Sequence, residues 1–135
     1  MSSKKKSPHQ KVIKSYTSLL YMTPISINTS DIASFFQDKP GITVQHWEEM
    51  NVLELELSNE NFIDFEALDP SFKDPKDASF VKNRKIASIF AIDLAESDLE
   101  AFLPDLLALT EQFSGFVCAD TPDFTPVYAG SSKKD

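Results

Sequence analysis

The sequence has a single cysteine, Cys118, so no intramolecular disulfide can form, and the expected setting is a reducing one. Only 3 glycines occur, at Gly41, Gly115 and Gly130. They stand far apart, which excludes a glycine-rich phosphate loop. Only 2 histidines occur, His9 and His46, and with one cysteine they exclude the common zinc ligand sets. No aspartate-rich loop of calcium-binding spacing is present. No apolar stretch approaches the ~20 residues of a membrane span. The first residues, Met1 to Lys6, carry charge with no apolar run behind them, unlike a secretory signal. These absences together predict a cytoplasmic protein.

Positive charge is also scarce: 13 Lys and Arg stand against 21 Asp and Glu. The imbalance is sharper away from the ends. Setting aside Lys4, Lys5, Lys6, Lys133, Lys134 and Asp135 leaves 8 basic and 20 acidic residues between positions 7 and 132, a net of −12. Such a body repels nucleic acid and anionic membrane, and favours a protein partner of positive charge. Solubility is the plainer use of the same charge.

Phenylalanine is abundant, with 11 copies among 135 residues, and 41% of the chain is apolar. That is enough for one domain with a real core, and a Phe-rich core suits a sheet packed against helices. We expect a basic tail over residues 1–10, one domain over 11–129 and a second tail over 130–135.

Within that domain, residues 11–22 read as a strand that becomes apolar on both faces and ends at Thr23-Pro24. Asn28 to Asp31 offer N-caps for a short helix over 31–38, stopped by Lys39-Pro40-Gly41. Ile42, Val44 and His46 alternate with Thr43, Gln45 and Trp47. Leu53, Leu55 and Leu57 alternate with Glu54 and Glu56, so the two runs predict a hairpin. Residues 62–66 read as strand or loop. Residues 69–83 read as a long connection with a helical turn near 78–81. Ile86 to Leu94, apolar on both faces, predicts a central strand.

Ser97 and Glu100 then match a capping box. Leu99, Phe102, Leu103, Leu106, Leu109 and Phe113 form a helical stripe ended by Gly115. Pro104 lies inside it and predicts a bend or a split. Residues 116–119 read as a short strand, 120–126 as a loop or edge segment, and 127–128 as a return to the sheet. The order implies an α+β fold, a ferredoxin-like or related split-βαβ two-layer sandwich. Its sheet would be mixed or antiparallel, with two helices on one face.

Chemistry is harder to find. Cys118 sits in an apolar strand, so a structural thiol is the simpler reading. His46 and Glu48, two apart, lack further ligands for a metal. Paired carboxylates abound, yet none is visibly sheltered from water as acid–base catalysis needs. Lys82 to Lys85 is the one basic patch of the body, facing Asp74 and Asp77 in sequence. We therefore expect no catalytic residues, no metal and no cofactor. His46, Trp47, Glu48, Glu49, Glu54 and Glu56 are the candidate partner-binding residues, since tryptophan beside acidic residues suits a recognition patch.

The length, the acidic body and the Leu/Phe-rich last helix running into Gly115-Phe116-Val117-Cys118-Ala119-Asp120 and Tyr128 resemble small acidic immunity proteins of bacterial polymorphic toxin systems. The resemblance implies an inhibitor that covers a basic partner with carboxylates, and it transfers no individual residue. The leading expectation is thus a non-enzymatic interaction module. A small enzyme or ligand-binding domain with a site on the sheet face, and a self-associating subunit, are the alternatives. The oligomeric state is left open.

Overall fold

The computed structural model describes residues 15–130. The expected tails at 1–10 and 131–135, and the first residues of the expected opening strand, lie outside the described residues. Gly130 is an exception to the expected second tail, because it pairs with Phe116 in a strand.

Seven strands form one sheet: β1 (Tyr16–Thr23), β2 (Ile42–Trp47), β3 (Val52–Leu57), β4 (Phe62–Leu68), β5 (Ser88–Ala95), β6 (Phe116–Ala119) and β7 (Val127–Gly130). Their order is β2-β3-β4-β5-β1-β6-β7, and every neighbouring pair is antiparallel. Three helices accompany them: α1 (Thr29–Phe36), α2 (Pro75–Asn83) and α3 (Glu96–Phe113). The α+β class stands. The ferredoxin-like plan with two helices does not describe the molecule, because the sheet is larger and a third helix is present. One part of that plan survives. β5 and β6 both flank β1 antiparallel to it, so they run parallel to each other with α3 as their crossover.

Alternation along β1 divides the core. Leu19 and Tyr21 pack with Ile32 and Phe36 of α1 and Phe102, Leu106 and Leu109 of α3. Leu20 and Met22 point the other way, toward Val81 of α2, Cys118 and Phe124. The two layers are unequal. The first spans the sheet from β3 to β7, whereas the second covers only one corner. Phe36 centres the larger layer, stacked on Phe102 at 5.8 Å and edge-on to Phe35 at 5.0 Å. Such aromatic pairs add to area burial, and the Phe36–Phe102 stack ties α1 to α3. β5 is central, as its two apolar faces predict, with Ile89, Phe90, Ile92 and Leu94 all buried.

The capping signals fall differently from expectation. Asn28 caps α1 and forms the reciprocal box with Asp31: its Oδ1 accepts from Ser30 and Asp31, while Asn28 N–H donates to Asp31 Oδ2 at 2.9 Å. At Ser97 there is no box. β5 runs straight into α3, Ala95 is the N-cap without a side-chain bond, and Ser97 already lies within the first turn. α2, read as little more than a turn, starts at Pro75 behind an Asp74 cap whose Oδ1 accepts from Lys76 N–H at 2.8 Å.

Pro104 neither splits α3 nor is buried. The carbonyl it leaves unbonded, four residues back at Glu100, belongs to an exposed residue and can bond water. The far end of α3 is held by β1. Tyr21 Oη donates to Ser114 O and Thr23 Oγ1 to Phe113 O, each at 2.6 Å, satisfying terminal carbonyls of the helix. Gly115 follows with φ +90°, so close to β1 that a Cβ there would stand 2.0 Å from Met22 O.

Candidate interaction face

The second layer leaves the β2–β3–β4 side of the sheet open. Side chains there follow from alternation: where Leu53, Leu55, Ile63 and Phe65 enter the core, Glu54, Glu56, Asp64 and Glu66 must point outward. Strand register then aligns them. Gln45, Glu54, Asp64, Asp93 and Ser18 are successive partners across β2, β3, β4, β5 and β1. Three carboxylates therefore stand side by side on three adjacent strands. Glu56 faces Thr43 and Phe62 in the row on one side, and Glu66 faces Val52 and Ala91 in the row on the other. None of the seven strands contains a lysine or an arginine.

The arrangement shifts protons. Partial burial, then the facing Asp64 charge and a hydrogen bond to it, raise the Glu54 carboxyl above its ordinary value. Burial also raises Asp64; the Glu54 hydrogen bond pulls it back and the Asp93 charge pushes it up again. When the pair takes up a proton, the hydrogen bond between the two carboxyls favours Glu54 as its carrier. At the end of the row, Ser18 Oγ donates to Asp93 Oδ1 at 2.6 Å. Three aromatic residues frame the face: Trp47, 44% exposed, Phe62, 38%, and Tyr16, 60%. Exposed aromatic rings around a charged centre suit recognition by contact.

Of the residues singled out in the sequence, Trp47, Glu54 and Glu56 share this face. Glu48 and Glu49 lie just beyond it on a 3-10 turn (Glu48–Met50). With Trp47 and Met50 they line a shallow groove of about 340 Å³. His46 is separated from them. It pairs with Leu53 and points to the helix side, where its Nε2 lies 2.9 Å from Thr29 Oγ1. That hydroxyl donates its proton to Asn51 Oδ1 at 2.6 Å, so Nε2 carries the hydrogen and donates to Thr29. His46 thereby ties β2 to the start of α1.

Asp64 and Asp93 complete the row, and sequence reading did not select them. Their outward alternation was visible, but their place beside Glu54 depends on pairings between distant segments. A second feature was also missed. Asp98 lies four residues before Phe102 on the buried stripe of α3, and it is 7% exposed. Its two oxygens accept from Asn59 Nδ2 at 2.9 Å and Asn61 Nδ2 at 2.8 Å, pinning the β3–β4 turn to the helix. A cleft of about 280 Å³ opens beside it, reached by Lys39, Gly41 and Asp105. Burial raises the Asp105 carboxyl and the Lys39 charge draws it back.

Cys118 is fully buried on the side of the sheet opposite His46, and burial followed by the Asp120 charge pushes its thiol up to about 12. The thiolate needed for attack is therefore scarce at neutral pH. Among the described residues, no three His, Cys, Asp or Glu side chains gather as a metal would need, and no helix is long and apolar enough to cross a membrane. Comparison with family models, with curated proteins and with solved structures finds no match to this chain.

Proposed function

We propose that this chain is a non-enzymatic interaction module of the bacterial immunity-inhibitor kind, which docks a basic protein on its open acidic sheet face. The observation that carries the reading is the run of Glu54, Asp64 and Asp93 on adjacent strands, with no basic residue in any strand to neutralise it. Trp47 and Phe62 supply contact area beside the charges, and the raised Glu54 and Asp64 carboxyls would regain full charge against a cationic partner. A cytoplasmic setting belongs to the same proposal and is supported by the single buried cysteine.

The test is capture from native lysate with three baits: the full chain, a Glu54→Gln/Asp64→Asn/Asp93→Asn variant, and a Glu96→Gln/Glu100→Gln/Glu111→Gln variant of exposed α3 residues. We expect a basic protein, bound at nanomolar affinity in low salt, to be lost from the first variant and kept by the second. Equal loss from both variants, or binding indifferent to salt, would refute the reading.

The β2 edge favours self-association as a second reading. Within the sheet Ile42–Trp47 pairs with β3 alone, and it carries no Asp, Glu, Lys, Arg or proline that would block a further strand. Light scattering that finds only monomer at millimolar concentration would dispose of it.

A further inference from the structure

We infer that the pocket between the end of α2 and the β6–β7 connection binds a free apolar α-amino acid, its carboxylate held by Arg84 and its ammonium by Asp123. The pocket lies at the covered corner of the sheet, away from Glu54 and Asp64. The inference therefore goes beyond the docking reading and does not depend on it.

The walls are aromatic. Phe80, on the side of α2 that packs on the sheet, meets Phe116 of β6 edge-on at 6.1 Å and Phe124 of the β6–β7 connection at 4.5 Å. Val127, at the start of β7, adds an apolar wall and is 56% exposed. Together they border a space of about 290 Å³. Phe124 is buried and keeps φ at +58°, a left-handed conformation that costs a bulky residue free energy. Strain of this kind gathers at ligand sites.

Two opposite charges line the same space. Arg84 ends α2, and its guanidinium carbon lies 3.9 Å from the centre of the Phe80 ring. Stacking holds the planar group in place and leaves its N–H edge for a carboxylate, which it can grip with two parallel bonds. Asp123 is fixed by hydroxyls: Thr125 Oγ1 donates to its Oδ1 at 2.8 Å and Thr121 Oγ1 at 3.1 Å. Both contacts use Oδ1, so Oδ2 accepts from no hydroxyl. Among the described residues, neither Arg84 nor Asp123 forms an ion pair, with the other or elsewhere. A cation at the end of α2 answers the helix dipole. The dipole gives no reason for a fixed carboxylate on the same pocket.

Size and charge together select the ligand. Taken as a sphere, about 290 Å³ is roughly 8 Å across. The ammonium and carboxylate of an α-amino acid stand ~3 Å apart, and a charged hydrogen bond of ~2.8 Å at each end brings the span to about 8 Å. A simple anion would meet Asp123, and a simple cation would meet Arg84. A zwitterion satisfies both. Phe116, Phe124 and Val127 then receive an apolar side chain.

The test is an NMR titration of the full chain with L-leucine. We expect shifts at Arg84 Nε–H and at the Phe124, Thr125 and Val127 amides, with a Kd on the order of 1 mM. Leucinamide, which lacks the carboxylate, and 4-methylpentanoate, which lacks the ammonium, should each bind about tenfold more weakly. Glycine, without the apolar side chain, should also bind about tenfold more weakly. Arg84→Gln and Asp123→Asn should each weaken leucine about tenfold. Both side chains are exposed, and Asp123→Asn keeps the Oδ1 acceptor for Thr121 and Thr125. Lys82→Gln, on the same helix but outside the pocket, should leave the Kd unchanged.

The absence of shifts up to about 50 mM leucine, or shifts centred elsewhere on the protein, overturns the inference. Equal binding of 4-methylpentanoate would make this an anion site on Arg84, and equal binding of leucinamide a cation site on Asp123; either result overturns it. So does a loss in Lys82→Gln as large as that in Arg84→Gln, which would reduce the effect to general surface charge.

Discussion

Asp64→Asn should stabilise the protein. In the folded state Asp64 stands between Glu54 on β3 and Asp93 on β5, each directly opposite in register. Like charges facing each other across strands cost roughly 0.2–1 kcal/mol per pair. The row is largely open to water, which holds each pair toward the lower half of that range. Removing one charge relieves two pairs, so the gain should be about 1 kcal/mol at pH 7 and low salt, or roughly 4 °C in Tm. The pH dependence has a definite sign. Glu54 and Asp64 are both raised from ordinary values of 4.5 and 3.8, so the folded state holds protons that the unfolded state has released. Their contribution to stability is fullest below those ordinary values and declines as pH rises through the folded ones. The variant should show less of this decline. Urea unfolding of both proteins at pH 7 in 20 mM and 1 M NaCl, and again near pH 4, measures it. We expect the advantage to fall by about half in 1 M salt, where the screening length is near 3 Å, and to vanish near pH 4. A destabilised variant, or a gain indifferent to salt and pH, would show that the row is not under electrostatic strain.

Four further outcomes check the fold. Gly115→Ala should lose at least about 3 kcal/mol in urea unfolding, because its Cβ would meet the β1 backbone at φ +90°; a loss below about 1 kcal/mol would mean that the α3–β6 corner yields. Pro104→Ala should raise stability by about 1–3 kcal/mol, since an exposed helix interior gains a donor and a better helix former; an unchanged urea midpoint would contradict it. Asp98→Ala should cost about 2–3 kcal/mol by removing the acceptor of two side-chain amides at a buried site, with Asp98→Asn recovering part of it. A thiol reagent at pH 8 should modify native Cys118 at least about 100-fold more slowly than the urea-unfolded chain; comparable rates would place the thiol near the surface.

Most strands were legible because their apolar residues keep a period of two. Leu53, Leu55 and Leu57 marked β3, and the doubly apolar Ile86 to Leu94 marked β5 and its central place. The order of strands was not legible, because β5 lies between β4 and β1 through contacts between remote segments, for which no local pattern exists. α2 was underestimated for a different reason. Only Phe80 and Val81 of its nine residues are large and apolar, so its stripe is faint, although Asp74-Pro75 is a good start signal. At α3 the Ser97 and Glu100 spacing misled because a strand feeding directly into a helix leaves no room for a cap. The same reciprocal pattern at Asn28 and Asp31 formed because a loop precedes it.

The acidic face shows the same division between local and distant information. Alternation alone separates His46 from Trp47, so grouping them by sequence proximity joined residues that the sheet places on opposite sides. Glu54 and Glu56 could be read as outward-facing, but not as neighbours of Asp64 and Asp93, because strand register is a property of the assembled sheet. That register also weighs against solubility as the whole reason for the charge. Charges kept only for solubility can be dispersed, and α3 offers exposed positions, Glu96, Glu100 and Glu111, that already carry them. Lining up three carboxylates across adjacent strands, in strands that contain no lysine or arginine, instead works against folding stability at one place. Local departures of this kind are expected where a surface serves another molecule. Asp64→Asn therefore weighs both sides together: a variant that unfolds later and binds the proposed basic partner less tightly would show stability given up for recognition, whereas one that unfolds later with binding intact would leave the row without that purpose.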